Sequence, residues 1–156
     1  GHGIALDSNK QIYVAGANFE DAIRKYDIWM QKYCNSPTLP SLTIDDSSVL
    51  EGNSDTDPWH KLRFTITKTG TSSQDCWVNF DTEDNTASEL DDDYAPMNTG
   101  ILIPAAETVK FVDVMIYGDD KIEPDETFFA YLRNPQGCTI AEPDSRGEGT
   151  ILNDDS

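Results

Sequence analysis

From Leu42 onward, apolar side chains return at every second position in short runs. Leu62, Phe64 and Ile66 alternate with Arg63, Thr65 and Thr67; Cys76, Val78 and Phe80 with Trp77 and Asn79; and Phe128, Ala130 and Leu132 with Phe129 and Tyr131. A two-residue period puts one set of side chains on each face of an extended chain, so each run predicts a half-buried strand. Ser41 to Ile44, Ser48 to Leu50, Gly100 to Ile103, Val109 to Tyr117 and Thr150 to Leu152 predict further strands, separated by clusters of Gly, Pro, Asn and Asp that favour turns. About seven strands at this spacing predict an all-β, antiparallel, immunoglobulin-like sandwich. Pro58, Pro96, Pro104, Pro124, Pro135 and Pro143 interrupt every window in which a long helix could form.

The first 38 residues follow a different pattern, which predicts a strand-rich extension over 1–38 ahead of a sandwich over 39–156. GIALDSNKQIYVAG at Gly3 to Gly16 resembles the repeat of bacterial β-propellers, and DIWMQKY at Asp27 to Tyr33 resembles the strand that follows it. A single blade cannot bury its own faces, so the resemblance implies a parent protein with a propeller before the sandwich. A helical reading competes, because Phe19, Ala22, Ile23, Tyr26, Met30 and Tyr33 recur at helical spacing behind Asn18. Two strands are the preferred reading. NSPTLP at Asn35 to Pro40 reads as the linker.

Composition narrows the function classes. The 156 residues carry 29 Asp plus Glu against 11 Lys plus Arg, a formal net charge of -18. Such a field repels nucleic acid and anionic membrane surfaces and leaves cations and basic partners. No run approaches the roughly 20 apolar residues that span a bilayer, so no membrane insertion is expected. The three cysteines, Cys34, Cys76 and Cys138, lack metal-ligand spacing and cannot all pair within one chain, so isolated buried thiols are the expectation. The chain has no Asn-x-Ser/Thr sequon, which favours a bacterial source over a glycosylated animal ectodomain.

The acidic residues are not evenly spread. DDKIEPDETFF at Asp119 to Phe129 and GTILNDD at Gly149 to Asp155 put carboxylates directly beside apolar alternation, hence at strand ends where a hard cation could gather them. With VLEG at Val49 to Gly52, and TEDNTA at Thr82 to Ala87 followed by DDDY ending at Tyr94, these motifs in this order resemble the Calx-beta domain of sodium-calcium exchangers, an integrin subunit and many large bacterial surface proteins. The resemblance covers about Leu42 to Asp155 and implies a seven-stranded sandwich with calcium held among the loops at one end. Carried over position by position, it implies Glu51, Asp84, Asp119, Glu123, Glu126, Asp154 and Asp155 as acidic ligands, with Asn153 and the Lys121 carbonyl as further oxygens. Asp93 falls on a common Asp of the family, while its neighbours Asp91 and Asp92 read as a solvated loop, and none of the three is taken as a ligand.

Ligand chemistry supports calcium separately from the resemblance. The ion accepts six to eight oxygens in flexible geometry, and carboxylates gathered without a cation would repel one another. The helix-loop-helix calcium motif does not fit, because counting from Asp119 its sixth position is Pro124 where glycine is needed and its twelfth is Ala130 where a Glu belongs. Gly118 and Asn153 replace acids of strong calcium-binding members, which predicts one or two ions at a Kd on the order of 0.1 to 1 mM, tightened by restoring both acids. The only histidines are His2 and His60, and no nucleophile elbow, phosphate loop or zinc set is present, so an enzyme is not expected. Trp59 and His60 are expected in a long polar connection, with Trp59 covering the core edge. The expected protein is a non-catalytic calcium-binding module of an extracellular or surface protein. Its expected partners are calcium, neighbouring domains, and a protein or glycan ligand. The competing reading is a calcium-independent adhesion or spacer module.

Overall fold

The computed structural model describes residues 3–6, 12–15, 38–53 and 59–156, with backbone alone for residues 3–6, 12–15 and 59. The chain divides into two compact units, Gly1–Thr38 and Leu39–Ser156. In the first, β1 (Gly3–Leu6) pairs antiparallel with β2 (Ile12–Ala15), Gly3 opposite Ala15. The helical alternative over Phe19 to Tyr33, the DIWMQKY strand and Cys34 lie outside the described residues.

The second unit is a sandwich of two sheets. Its strands are β3 (Ser41–Ile44), β4 (Ser47–Leu50), β5 (Trp59–Thr69), β6 (Cys76–Asp84), β7 (Asn98–Ile103), β8 (Val109–Tyr117), β9 (Glu126–Gln136), β10 (Thr139–Ile140) and β11 (Arg146–Leu152). One sheet runs β10-β3-β5-β8 and the other β4-β11-β9-β6-β7. The alternating runs become β5, β6 and β9, and their inward residues Leu62, Phe64, Ile66, Cys76, Val78, Phe80, Phe128, Ala130 and Leu132 are all buried. Trp59 and His60 are not in a loop: they open β5, opposite Tyr117 and Ile116 of β8.

Two details refine the expected sandwich. Its first strand is split, because the chain leaves β3 in one sheet and enters β4 in the other, and β3 and β4 pair in parallel with β10 and β11. Two aspartates hold this crossing: Asp45 Oδ1 accepts from Thr65 N at 2.5 Å and Asp46 Oδ1 from Glu148 N at 2.8 Å. In addition, β7 pairs with β6 rather than with β8, unlike the constant-type immunoglobulin order.

The core is aromatic at its centre. Phe64 meets Phe80 and Phe128 at centroid separations of 5.9 and 6.0 Å. Gly149 takes an inward position of β11, where a Cβ would come within 2.7 Å of the Phe128 ring and 3.1 Å of Phe64, so only glycine lets the rings meet there.

At one end of the sandwich Cys76 and Cys138 form a disulfide, with Cα atoms 5.5 Å apart and a sequence separation of 62. Isolated thiols were the expectation, and spacing could not reveal the pair because β6 meets the β9–β10 turn only in the folded chain. The same end holds Lys68, a residue 3% exposed, whose ammonium donates to the carbonyls of Pro104 (2.7 Å) and Ala105 (3.0 Å).

Candidate metal centre

The opposite end is built from four chain segments that leave strand ends: residues 51–53 after β4, 85–94 after β6, 118–125 between β8 and β9, and 153–155 after β11. Hydrogen bonds along β4 and β11 carry this pairing to Glu51, whose N–H donates to Leu152 O at 2.9 Å. In the second segment Ser88 caps a 3-10 turn, Glu89–Asp91, by accepting from Leu90 N and Asp91 N. Asp92 follows in the left-handed region at φ 62°, which turns the chain inward. Tyr94 then anchors it, stacked on Phe128 at 4.3 Å with its hydroxyl donating to Asp84 Oδ1 at 2.6 Å. This fixed Tyr94 sets the position of Asp93, whose carbonyl accepts from Tyr117 N at 3.0 Å.

Two groups of carboxylates result, Glu51, Asp119 and Glu123 in one and Asp93, Glu123 and Glu126 in the other, each with one oxygen per residue within 4.8 Å of the others. Glu123 belongs to both. Glu51 and Asp93 are 6% and 8% exposed, so each group contains one carboxyl almost withdrawn from water. Burial, then the charges of Asp119 and Glu123, push Glu51 up to about 7. Burial and the neighbouring Asp93 raise Glu126 to about 7, and burial raises Asp93 against the opposing donation from Ser88 N–H.

Of the residues expected as ligands, Glu51, Asp119, Glu123 and Glu126 come together. Asp84 stands outside both groups, accepting from Tyr94 and from Glu89 N at 3.2 Å. Asn153, Asp154 and Asp155 hold the loops: Asn153 Oδ1 accepts from Glu123 N (3.2 Å), Asp154 Oδ1 from Gly52 N (3.0 Å) and Asp155 Oδ1 from Asn53 Nδ2 (2.6 Å). Asp155 Oδ2 is buried without a partner, and burial together with Asp154, Asp120 and Asp119 raises that carboxyl. Lys121, expected to offer its carbonyl, makes two contacts through other atoms. Its N–H donates to Asp119 Oδ1 at 2.7 Å and its ammonium pairs with Glu123 Oε1.

Asp93, which the resemblance matched to a common Asp of the family but which was not expected as a ligand, is a buried member of the second group. An acid at Gly118, together with one at Asn153, was expected to tighten the site, and the packing around Gly118 argues against the first of these changes. A Cβ there would approach the Gly52 carbonyl carbon to 2.6 Å and the Glu51 carbonyl oxygen to 2.9 Å, so any side chain displaces the segment carrying Glu51.

The donor set is entirely oxygen, at least partly buried and mutually repulsive, which suits a hard cation such as calcium. The Calx-beta domain profile matches residues 56–155. The chain belongs to the Calx-beta family. Solved Calx-beta structures agree in fold. The apo-form Calx CBD1 domain superposes with a TM-score of 0.63 at 24% identity, covering 75% of this chain and 99% of that one. The calcium binding domain CBD12 of CALX1.1 gives 0.61 at 25% identity, covering 73% of this chain but 46% of that one. The Calx CBD2 domain gives 0.56 at 15% identity, covering 70% and 84%. Comparison with curated proteins found no match. The match begins at residue 56, and nothing in these comparisons supports the propeller reading of the N-terminal segment. No helix among the described residues is long and apolar enough to cross a membrane.

Proposed function

We propose that this Calx-beta domain is a non-catalytic calcium-binding module of a larger extracellular or surface protein. The observation that carries the reading is the pair of carboxylate groups sharing Glu123, each with a member buried to more than nine-tenths. Burying carboxylates against one another is unfavourable unless protons or a cation neutralise them. Glu51, Asp119 and Glu123 would hold one ion, and Asp93, Glu123 and Glu126 a second. Asp155, with its unpartnered oxygen, borders the first group, and Asn153 and Asp154 orient the loops. Because residues 153–155 lie in the site, calcium would stiffen the segment leading to whatever follows and fix the geometry to a neighbouring domain. The similarity to a longer calcium-binding CBD12 chain is in keeping with that role. The Cys76–Cys138 disulfide favours an oxidising compartment.

Calorimetric titration of the chelator-stripped chain tests the reading: heat of binding is expected at a Kd on the order of 0.1 to 1 mM, with far less response to magnesium. Absence of calcium heat up to several millimolar would refute it. One observation favours the alternative of a calcium-independent spacer, namely that Asp84, Asp154 and Asp155 already serve the loops through hydrogen bonds to Tyr94, Gly52 and Asn53. That alternative requires the same melting midpoint in chelator and in calcium.

A further inference from the structure

We infer that Lys121 is a built-in counter-cation of the acidic end, which holds the shared carboxylate Glu123 when no ion is bound and must be displaced by calcium, so that it sets the affinity of the site. The inference rests on the calcium reading above and concerns a residue for which the family resemblance supplies only a carbonyl.

Glu123 is common to both carboxylate groups, so a cation in either must use it. Its Oε1 is taken by the Lys121 ammonium. Lys121 also senses the wider cluster: Glu123 first, then Asp119 and Asp91, raise its proton affinity. Its N–H donates to Asp119 Oδ1, which anchors its backbone beside the first group. Its side chain is nevertheless 62% exposed against 22% for Glu123, so the ammonium can swing into water without disturbing the core. An ammonium that stayed about 4 Å from a divalent ion in water would weaken binding on the order of thirtyfold. Release into solvent relieves most of that, and exposed ion pairs contribute little by themselves. A residual effect of about three- to tenfold is expected.

The test compares calcium titrations of the wild-type chain, Lys121→Met and Lys110→Met. Lys110 pairs with Glu107 at the start of β8, at the disulfide end, so its replacement makes the same change in net charge away from the site. Lys121→Met is expected to bind calcium about three- to tenfold tighter, and Lys110→Met within about twofold of wild type. In chelator, Lys121→Met should melt slightly lower than wild type, since the carboxylates lose their internal cation. Equal tightening by both variants would reduce the effect to net charge and overturn the inference. Unchanged or weaker binding by Lys121→Met, or an unchanged or higher chelator midpoint, would overturn it as well. If the wild-type chain and both variants all gave no calcium heat, the calcium reading itself would fall, and this inference with it.

Discussion

The two ends of the sandwich handle buried charge in opposite ways. At the disulfide end Lys68 is 3% exposed, yet its ammonium donates to the carbonyls of Pro104 and Ala105, and Asp75 accepts from Ala105 N at 2.9 Å. Charge there is satisfied by dipoles of the same chain. At the acidic end Glu51 and Asp93 are nearly as buried but face other carboxylates, and Glu51 and Glu126 are pushed up to about 7. One end is complete as an isolated fold, and the other becomes favourable only with protons, Lys121 or a metal. A buried charge therefore marks a binding site only when its nearest neighbours share its sign.

The largest test of this contrast removes the complete end. Replacing Cys76 and Cys138 by Ala opens a 62-residue loop and is expected to cost about 2–4 kcal/mol in urea unfolding. Calcium affinity should stay within about twofold, because distant sites couple weakly. A large loss of affinity would show that the ends are not independent.

The acidic end should respond to calcium instead. Calcium at 100 times its Kd should add about 2.7 kcal/mol to stability. Glu123→Gln should diminish that gain more than Glu51→Gln or Glu126→Gln, since Glu123 serves both groups. If Glu107→Gln at the disulfide end did as much, only general charge would be at work.

Gly118→Ala probes packing rather than charge. Its methyl group would press on the backbone of Gly52 and Glu51, so a loss of about 1–3 kcal/mol is expected together with weaker calcium binding. Unchanged stability and affinity would show that the two loops can part freely.

The pH dependence is smaller and has a definite sign. Glu51 and Glu126 rise from an ordinary 4.5 to about 7, so between these values the metal-free folded chain holds more protons than the unfolded chain. Their contribution is complete below about pH 4.5 and is lost as pH rises through 7, so the metal-free midpoint should fall over that range. Saturating calcium, which needs the ionised carboxylates, should flatten or reverse the trend. The metal-free midpoint rising from pH 5 to 7.5 would contradict the burial argument. The smallest expected effect is that of deleting residues 1–37, which should leave calcium affinity within about threefold because all proposed ligands lie in the second unit.

The sequence by itself determined the strands and placed acids at their ends. Alternation in Leu62–Phe64–Ile66 and Phe128–Ala130–Leu132 is local, as are the turn residues between the runs, and both survive into the fold because a strand has only two faces. Glu51, Asp119, Glu123 and Glu126 were expected as ligands because the ordered motifs that contain them resemble the Calx-beta domain. What only the tertiary structure decided depends on which segments meet. Asp93 joins the site because Tyr94 stacks on Phe128, a contact between β9 and a loop 34 residues earlier in the chain. Asp84, with the same motif signal, is turned to Tyr94 instead. Gly118 must be glycine because Gly52 lies against it, and Cys76 finds Cys138 because β6 pairs with β9. Periodicity records which face a residue occupies, whereas these choices follow from close approach between distant segments, which no local pattern encodes.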